Sequence, residues 1–284
     1  MKHDKDIEDL EKKVFSKVEA PYSRSKEDIW ANMEAKLETP KPAQAKIVRF
    51  RWAKMAAAAS LVLLIGAGVF ARLYTVNVEI PAGEFANHTL PDGSTVYLNA
   101  ETSLNYHPYW WSFDRQVELT GEAFFEVKKG SKFTVESDLG TVAVLGTSFN
   151  IYSRDGDYRV FCSTGKVSVS DKKTSGVILL PGEGTILQPT KLIALEKINV
   201  DQEAVMAWKN KKFVYDTSPL SKVIEDLERH YNVKINSTIL DSKESEYTGL
   251  FDRSVSIDEA LEIICFSLGF EFEKDNQEGY LIKQ

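Results

Sequence analysis

Residues 55–71, MAAAASLVLLIGAGVFA, run for seventeen positions without a charge between Lys54 and Arg72. At ~1.5 Å rise per residue a helix of this length covers about 26 Å, slightly short of the ~30 Å hydrocarbon core of a bilayer. Phe50 and Trp52 on one side, and Leu73 and Tyr74 on the other, lengthen the apolar stretch. Lys54 and Arg72 can snorkel to the two interfaces, and Trp52 and Tyr74 suit the headgroup level. The stretch therefore predicts one transmembrane helix over residues 55–72. Two other readings compete. A cleaved signal peptide carries a short basic start and a 7–15-residue apolar core, whereas here some fifty residues of charge-rich sequence come first. A core helix of a soluble domain should be amphipathic, and this one is apolar all round.

Charge sets the orientation. Lys41, Lys46, Arg49, Arg51 and Lys54 precede the span with no acid among them, while the seventeen residues after Ala71 hold one basic residue, Arg72. By the positive-inside rule the N-terminus is expected in the cytoplasm and residues 73–284 on the exported side. Residues 1–54 hold 13 Lys+Arg against 10 Asp+Glu, a net +3, which leaves −10 for the remainder. An acidic outer part speaks against direct nucleic-acid binding.

A chain of 284 residues, 43% hydrophobic, can build more than one core, and its length predicts about two domains. Cys162 and Cys265 fall in different predicted domains, one in an alternating strand pattern and one on a helix's apolar stripe. Buried free thiols are the reading, with a disulfide as the alternative in an exported compartment.

In the N-terminal arm, Ile7, Leu10, Val14 and Val18 recur at helical spacing, predicting an amphipathic helix over 4–19 that Pro21 stops. Ser25-Lys-Glu-Asp28 has the form of a capping box, and Ile29, Trp30, Met33 and Leu37 then give one apolar edge before Pro40 and Pro42. Two such short helices make a marginal core. The exposed edge is a candidate partner-binding surface, against a plain helix hairpin or a helix lying on the membrane.

Beyond the span the pattern changes to short alternating runs at 94–99, 116–119, 123–127, 133–136 and 141–145, the signature of strands with antiparallel neighbours. Pro91-Asp92-Gly93 is a turn, proline setting φ and glycine accepting φ > 0. A glycine followed by a strand recurs at Gly121, Gly146, Gly165 and Gly182, at offsets too irregular for a solenoid. A sandwich or jelly-roll-like fold whose strands turn corners at glycines is expected. The cluster Tyr106, Tyr109, Trp110, Trp111 and Phe113 is either a recognition surface, with Tyr109, Trp110 and Trp111 as its candidates, or a loop packed over the sandwich.

Toward the C-terminus, 212–215 reads as a strand, followed by a helix capped at Ser218 with Pro219 at its first position. Leu220, Val223, Ile224, Leu227 and Tyr231 form its inner stripe. Strands follow at 233–236 and 247–251. Ser256-Ile-Asp-Glu259 is a second capping box, opening a helix with Ala260, Leu261, Ile264, Cys265 and Leu268 inward. Strands at 270–274 and 280–283 close the chain. The sequence thus describes a multidomain membrane protein. It has a short α-helical cytoplasmic arm (1–54), one transmembrane helix (55–72), an all-β jelly-roll-like sandwich (76–190) and a small α+β domain of order β-α-β-β-α-β-β (208–284).

No catalytic constellation emerges. His3, His88, His107 and His230 are scattered, so no cluster has metal spacing, and no G-x-S-x-G elbow, phosphate loop or H-E-x-x-H occurs. Glu122 and Glu126 share one side of a strand, but solvent-face carboxylates on a sheet are far commoner than an acid pair. The expectation is a non-enzyme without cofactor or metal.

Leu90-Pro-Asp-Gly-Ser-Thr-Val-Tyr-Leu-Asn99, Gly121-Glu-Ala-Phe-Phe-Glu-Val127, Val144-Leu-Gly-Thr-Ser-Phe-Asn150 and Leu180-Pro-Gly182 resemble, in order and spacing, signature blocks of the FecR family. Pro91, Asp92, Gly93, Gly121, Glu122 and Gly146 carry that signature. Trp208, Phe213, Pro219-Leu220, Leu227-Glu228, Tyr231-Asn232 and Thr248-Gly249 resemble the C-terminal module that accompanies FecR domains in Bacteroidetes, which looks like the secretin and TonB short N-terminal domain. The resemblance implies an inner-membrane anti-sigma regulator. Its arm would hold an extracytoplasmic-function sigma factor through Ile29, Trp30, Met33 and Leu37. Its exported part would read the signalling domain of a TonB-dependent outer-membrane receptor, an exposed strand edge of the C-terminal module serving for the contact. The residues alone leave one alternative open, a membrane-tethered periplasmic module that binds glycan or peptidoglycan through its aromatics.

Overall fold

The computed structural model describes residues 3–16, 24–37, 49–171, 176–187, 196–237, 245–275 and 279–283. Contacts divide the chain into two units, residues 1–61 and 62–284.

The first unit contains α1 (His3–Phe15), α2 (Lys26–Leu37) and the start of α3 (Arg49–Leu73). α1 covers most of the predicted 4–19, and residues 17–19, with Val18, and Pro21 lie outside the described residues. Asp28 N–H donates to Ser25 Oγ at 3.2 Å, so the predicted cap opens α2. α3 starts six residues before the predicted span, because the Arg49–Lys54 segment carries no helix breaker. Within α3, Trp52–Leu73 is long and apolar enough to cross a membrane, and none of its most apolar window is buried inside the protein. Its 22 residues reach about 33 Å, enough for the hydrocarbon core. That exposure removes the core-helix reading.

The second unit continues α3 from Val62 and holds two modules. In the first, strands β1 (Val76–Ile80), β2 (Ala86–Thr89), β3 (Thr95–Leu98), β4 (Thr102–Tyr106), β5 (Arg115–Glu126), β6 (Phe133–Glu136) and β7 (Gly140–Val144) are followed by β8 (Ser148–Arg154), β9 (Asp157–Thr164), β10 (Val167–Asp171), β11 (Val177–Leu179), β12 (Glu183–Leu187) and β13 (Glu196–Asn199). They form two sheets. The first runs β1-β4-β5-β6-β7-β10-β11 and the second β2-β3-β5-β8-β9-β12-β13. β5 belongs to both. Its first half, to Thr120, pairs with β4, and its second half, from Gly121, pairs with β8.

This corrects the reading of 116–119 and 123–127 as separate strands. Gly121, at φ +110, is the corner: a Cβ there would lie 2.8 Å from Glu101 O and 2.8 Å from Thr102 Cα, so only glycine lets the strand cross β4 so closely. Having turned the corner into the second sheet, the chain must cross back to continue the first. β6 therefore pairs parallel with β5, Phe133 opposite Arg115, where antiparallel neighbours are expected throughout.

The core lies between the two sheets. Leu104, Val117 and Leu119 from the first face Val96, Phe125, Phe149 and Ile151 from the second. Phe125 stacks on Phe149 with centroids 5.0 Å apart. Each such fully buried side chain contributes about 1.5–3 kcal/mol. Cys162 is buried and unpaired.

α4 (Gln202–Met206) leads to the C-terminal module, built of β14 (Lys212–Pro219), α5 (Leu220–Tyr231), β15 (Ile235–Ser237), β16 (Glu246–Asp252), α6 (Ile257–Leu268), β17 (Glu271–Asp275) and β18 (Gly279–Lys283). β14 pairs antiparallel with β16, and β18 lies between parallel β15 and antiparallel β17. Leu220, Val223, Ile224 and Leu227 of α5 pack with Ala260, Leu261, Ile264 and Cys265 of α6 in one core. The capping box of α6 is complete: Glu259 N–H donates to Ser256 Oγ, and Ser256 N–H to Glu259 Oε2 at 2.8 Å. Ser218 does not cap α5. β14 runs on to Pro219, Ser218 pairs with Tyr247, and its hydroxyl donates to Asp216 O.

Candidate functional site

On α2 the predicted edge is open to solvent. Trp30 is 66% exposed, Met33 55% and Leu37 72%, with Ile29 half-buried beside them. Four apolar side chains at offsets of 0, 1, 4 and 8 residues lie along one stripe of a helix, the pattern that fills a groove on a partner.

The Pro91-Asp92-Gly93 turn closes by Gly93 N–H donating to Leu90 O at 2.8 Å, with Gly93 at φ +78. Ser94 N–H donates to Asp92 Oδ1 at 2.8 Å, and Arg115 Nε donates to Asp92 Oδ2 at 2.8 Å while Nη2 closes an ion pair with it. Arg115 is buried and also donates from Nη1 to Ser131 O at 2.6 Å, tying the turn to the loop before β6. Burial alone would raise the Asp92 carboxyl; the Ser94 donors and the Arg115 guanidinium outweigh it and hold the group below its ordinary range. A Cβ on Gly146, at φ +148, would fall 2.7 Å from Lys129 Cα, so this glycine lets the same loop pack closely. Pro91-Asp92-Gly93 is thus a hairpin turn between paired β2 and β3, while Gly121 and Gly146 stand where the chain passes from the first sheet to the second.

Glu122 stands on the outer face of the second sheet, where the C-terminal module docks. Its carboxylate accepts from Asn99 Nδ2 at 2.7 Å and Asn150 Nδ2 at 3.0 Å, and Asn150 Oδ1 in turn accepts from Trp208 Nε1 at 3.3 Å. Trp208 packs with Phe124, Met206 and Tyr97 in a small separate core. Lys209 Nζ donates to Glu126 at 2.7 Å and lies 3.9 Å from the Tyr97 ring centroid. Glu122 and Glu126 therefore each have their own partners and make no acid pair. Arg229 of α5 reaches Glu101 at 3.1 Å, and Lys222 reaches Asp157 at 2.6 Å. Each link pairs one exposed partner, Glu101 or Lys222, with one largely covered, Arg229 or Asp157, whereas the Asn150–Trp208 hydrogen bond is buried on both sides.

Beside this junction a cavity of about 340 Å³ opens between the second sheet and β14–α5, lined among others by Tyr152, Arg159, Thr185, Tyr215, Asp226 and Arg253. The Arg159 guanidinium lies 3.9 Å over the Tyr152 ring. Thr185 Oγ1 and Tyr215 OH are buried without a hydrogen-bond partner among the described residues. Burial, with the field of Glu122, raises the Asp226 carboxyl against the pull of Arg229, whose Nη1 donates to it at 3.1 Å. Burial likewise pushes the Tyr215 phenol well above its usual value. Among the described residues no three His, Cys, Asp or Glu side chains gather to hold a metal. The cavity offers paired charges and two lone hydroxyls, an arrangement that locks modules together or accepts polar groups.

The aromatic cluster divides. Trp111 is buried, edge-on to Tyr106 and Phe133, and belongs to the core, which removes it from the predicted recognition surface. Tyr106 is buried as well. Tyr109 and Phe113 are exposed, and Tyr109 sits against Tyr74 and Phe70 at the end of α3. Trp110 and Trp111 therefore share no exposed face.

A family model described as FecR protein matches residues 76–168, and one described as FecR, C-terminal, matches residues 212–281. Two crystal structures of a candidate anti-sigma factor from Parabacteroides distasonis ATCC 8503, at 2.50 and 1.65 Å, resemble the chain with TM-scores of 0.68 and 0.67. Each is 33% identical, and the likeness covers 74% of this chain and 99% of the other. The chain belongs to the FecR family of anti-sigma factors. No curated protein matches it. Three of the four signature blocks fall within the matched FecR segment, whereas Leu180-Pro-Gly182 lies beyond it. Trp208 stands between the two matched FecR segments, at the joint they share.

Arg115, Lys209, Arg229 and Arg253 are the site residues that sequence reasoning missed. Asn99 and Asn150 stood inside quoted blocks without a role. The signal for Arg115 was a charge opening an otherwise alternating strand; nothing local marked the others.

Proposed function

We propose that this FecR-family chain is a single-pass inner-membrane anti-sigma regulator. Its cytoplasmic arm holds an extracytoplasmic-function sigma factor, and its periplasmic part receives the signal of a TonB-dependent outer-membrane receptor. The observation that carries the reading is the Ile29–Trp30–Met33–Leu37 stripe, apolar and open in a helix that buries nothing of its own. Such a stripe suits a helix-in-groove contact. The basic flank from Lys41 to Lys54 supports the orientation, because it puts the arm on the side where a sigma factor works. For the receptor, β17 is one suitable edge: among the described residues it pairs with β18 alone, as β15 does on the other side, and a strand from the receptor can extend the sheet there. The periplasmic part acts by contact and performs no catalysis.

The test is affinity capture with the full chain, solubilised in detergent from its own cells, beside a Trp30→Ala, Leu37→Ala version. Recovery of one small sigma factor by the native chain, and its loss with the double substitution, supports the reading. Equal recovery by both chains refutes the stripe, and recovery of no sigma factor refutes the sigma-holding role.

A further inference from the structure

Three parts of the chain meet at one end of the first sheet. α3 ends at Leu73 and β1 begins at Val76, so three Cα steps, about 11 Å at full extension, separate helix from domain. β1 pairs with β4, Val76 opposite Tyr106, so the turn 107–114 that follows β4 lies at that end too. β6 runs parallel to β5 with Phe133 opposite Arg115, which brings the loop 128–132 to the same edge. The contacts are direct. His107 Nδ1 donates to Tyr74 O at 3.1 Å, and the Tyr109 ring lies 5.2 Å from Tyr74 and 6.0 Å from Phe70.

The surface presented there is aromatic and basic. Phe113 is 78% exposed and Tyr109 61%, and half-buried Trp110 lies 4.7 Å from the Phe113 ring. Lys128, Lys129 and Lys132 are exposed on the neighbouring loop, and Asp114 is the one acid in either segment. Three backbone N–H groups of the turn are paired within it: Trp110 N–H donates to His107 O at 3.2 Å, Phe113 N–H to Trp110 O at 2.9 Å and Asp114 N–H to Trp110 O at 3.1 Å. Those groups can leave water without being stranded. Aromatic rings flanked by lysines are the composition that settles at the headgroup layer, rings inward and ammonium groups toward anionic lipid.

We propose that this end of the β domain is a membrane-docking surface. Tyr109, Trp110 and Phe113 enter the interfacial layer of the bilayer that α3 crosses, and Lys128, Lys129 and Lys132 face its anionic headgroups. The proposal rests on α3 being a transmembrane helix, whose short connection to β1 holds this surface beside the end of the span. Docking fixes the orientation of the β domain over the membrane.

The test places an environment-sensitive fluorophore on the full chain in liposomes containing phosphatidylglycerol, through Phe113→Cys, Leu64→Cys or Phe266→Cys, one at a time. Leu64 reports the span, and Phe266, 89% exposed on α6, reports a remote surface. The unsubstituted chain, with its two buried cysteines, gives the labelling background. The proposal expects position 113 to emit at shorter wavelength than position 266. It also expects quenching at 113 by lipid carrying a doxyl group near the headgroup more than by one near the chain end, and quenching at 64 by the deeper doxyl. A fluorophore at 113 as water-exposed as that at 266, with 64 still quenched, overturns the docking surface and leaves the span intact. Absence of quenching at 64 overturns the span and the docking together.

Discussion

Replacing Gly121 by alanine should be far more damaging than the same change at Gly182, although both glycines have φ > 0. Gly182, at φ +85, opens the Glu183 strand with nothing within 4 Å of an added Cβ, so Gly182→Ala costs only the left-handed backbone, about 1–2 kcal/mol. Gly121, at φ +110, adds contacts of 2.6 Å to Thr102 Oγ1 and 2.8 Å to the Glu101 carbonyl, the latter backbone that cannot rotate away. Backbone strain of about 1–3 kcal/mol and overpacking of about 1–3 kcal/mol together give about 2–6 kcal/mol. Urea unfolding of each full chain in detergent, followed by tryptophan fluorescence with Trp111 in the β core, measures the difference. With a slope of about 2 kcal/mol per molar, the Gly121→Ala midpoint should fall roughly 1 M below that of Gly182→Ala. Equal midpoints would refute the corner as the reason for this glycine.

His230 makes stability pH-dependent. Its Nε2 lies 3.0 Å from Arg253 O and so carries the proton, while buried Nδ1 has no partner among the described residues; burial lowers its pKa below 6.5. A lowered histidine contributes stability in full above about 6.5 that is lost as the pH falls toward the folded value, because the unfolded chain then binds the proton better. The urea midpoint should therefore decline between pH 7 and 5, and His230→Gln should flatten that part of the decline. Burial raises both thiols, Cys162 and Cys265, to about 11, so little thiolate exists at neutral pH. A maleimide should leave the native chain unmodified at pH 7 and label both cysteines in urea; prompt native labelling would contradict the burial.

The span, the α6 capping box and the stripes of α5 and α6 were legible because each is a local pattern, a run or a 3.6-residue period whose meaning depends on near neighbours. The sheets were legible as alternation and illegible as topology. Gly121 marked a corner correctly, yet nothing nearby told that β5 continues through it into the second sheet, or that β6 returns parallel. Ser218-Pro219 looked like a helix start, but pairing with Tyr247 overrode that local preference. Trp111 could not be told from Trp110 by type, since burial of one and exposure of the other are set by which face of a turn each occupies. The Glu122–Asn150–Trp208 wedge joins residues up to 86 positions apart, and no spacing rule reaches that far.

The central claim, that the arm holds a sigma factor through α2, is tested most directly by equilibrium titration. The captured sigma factor is added to the full chain in lipid nanodiscs, native against Trp30→Ala. An exposed aromatic anchor of this kind carries about 2 kcal/mol or more, so the account predicts a dissociation constant at least about 30-fold weaker for Trp30→Ala with helicity unchanged. A constant that does not move would contradict it.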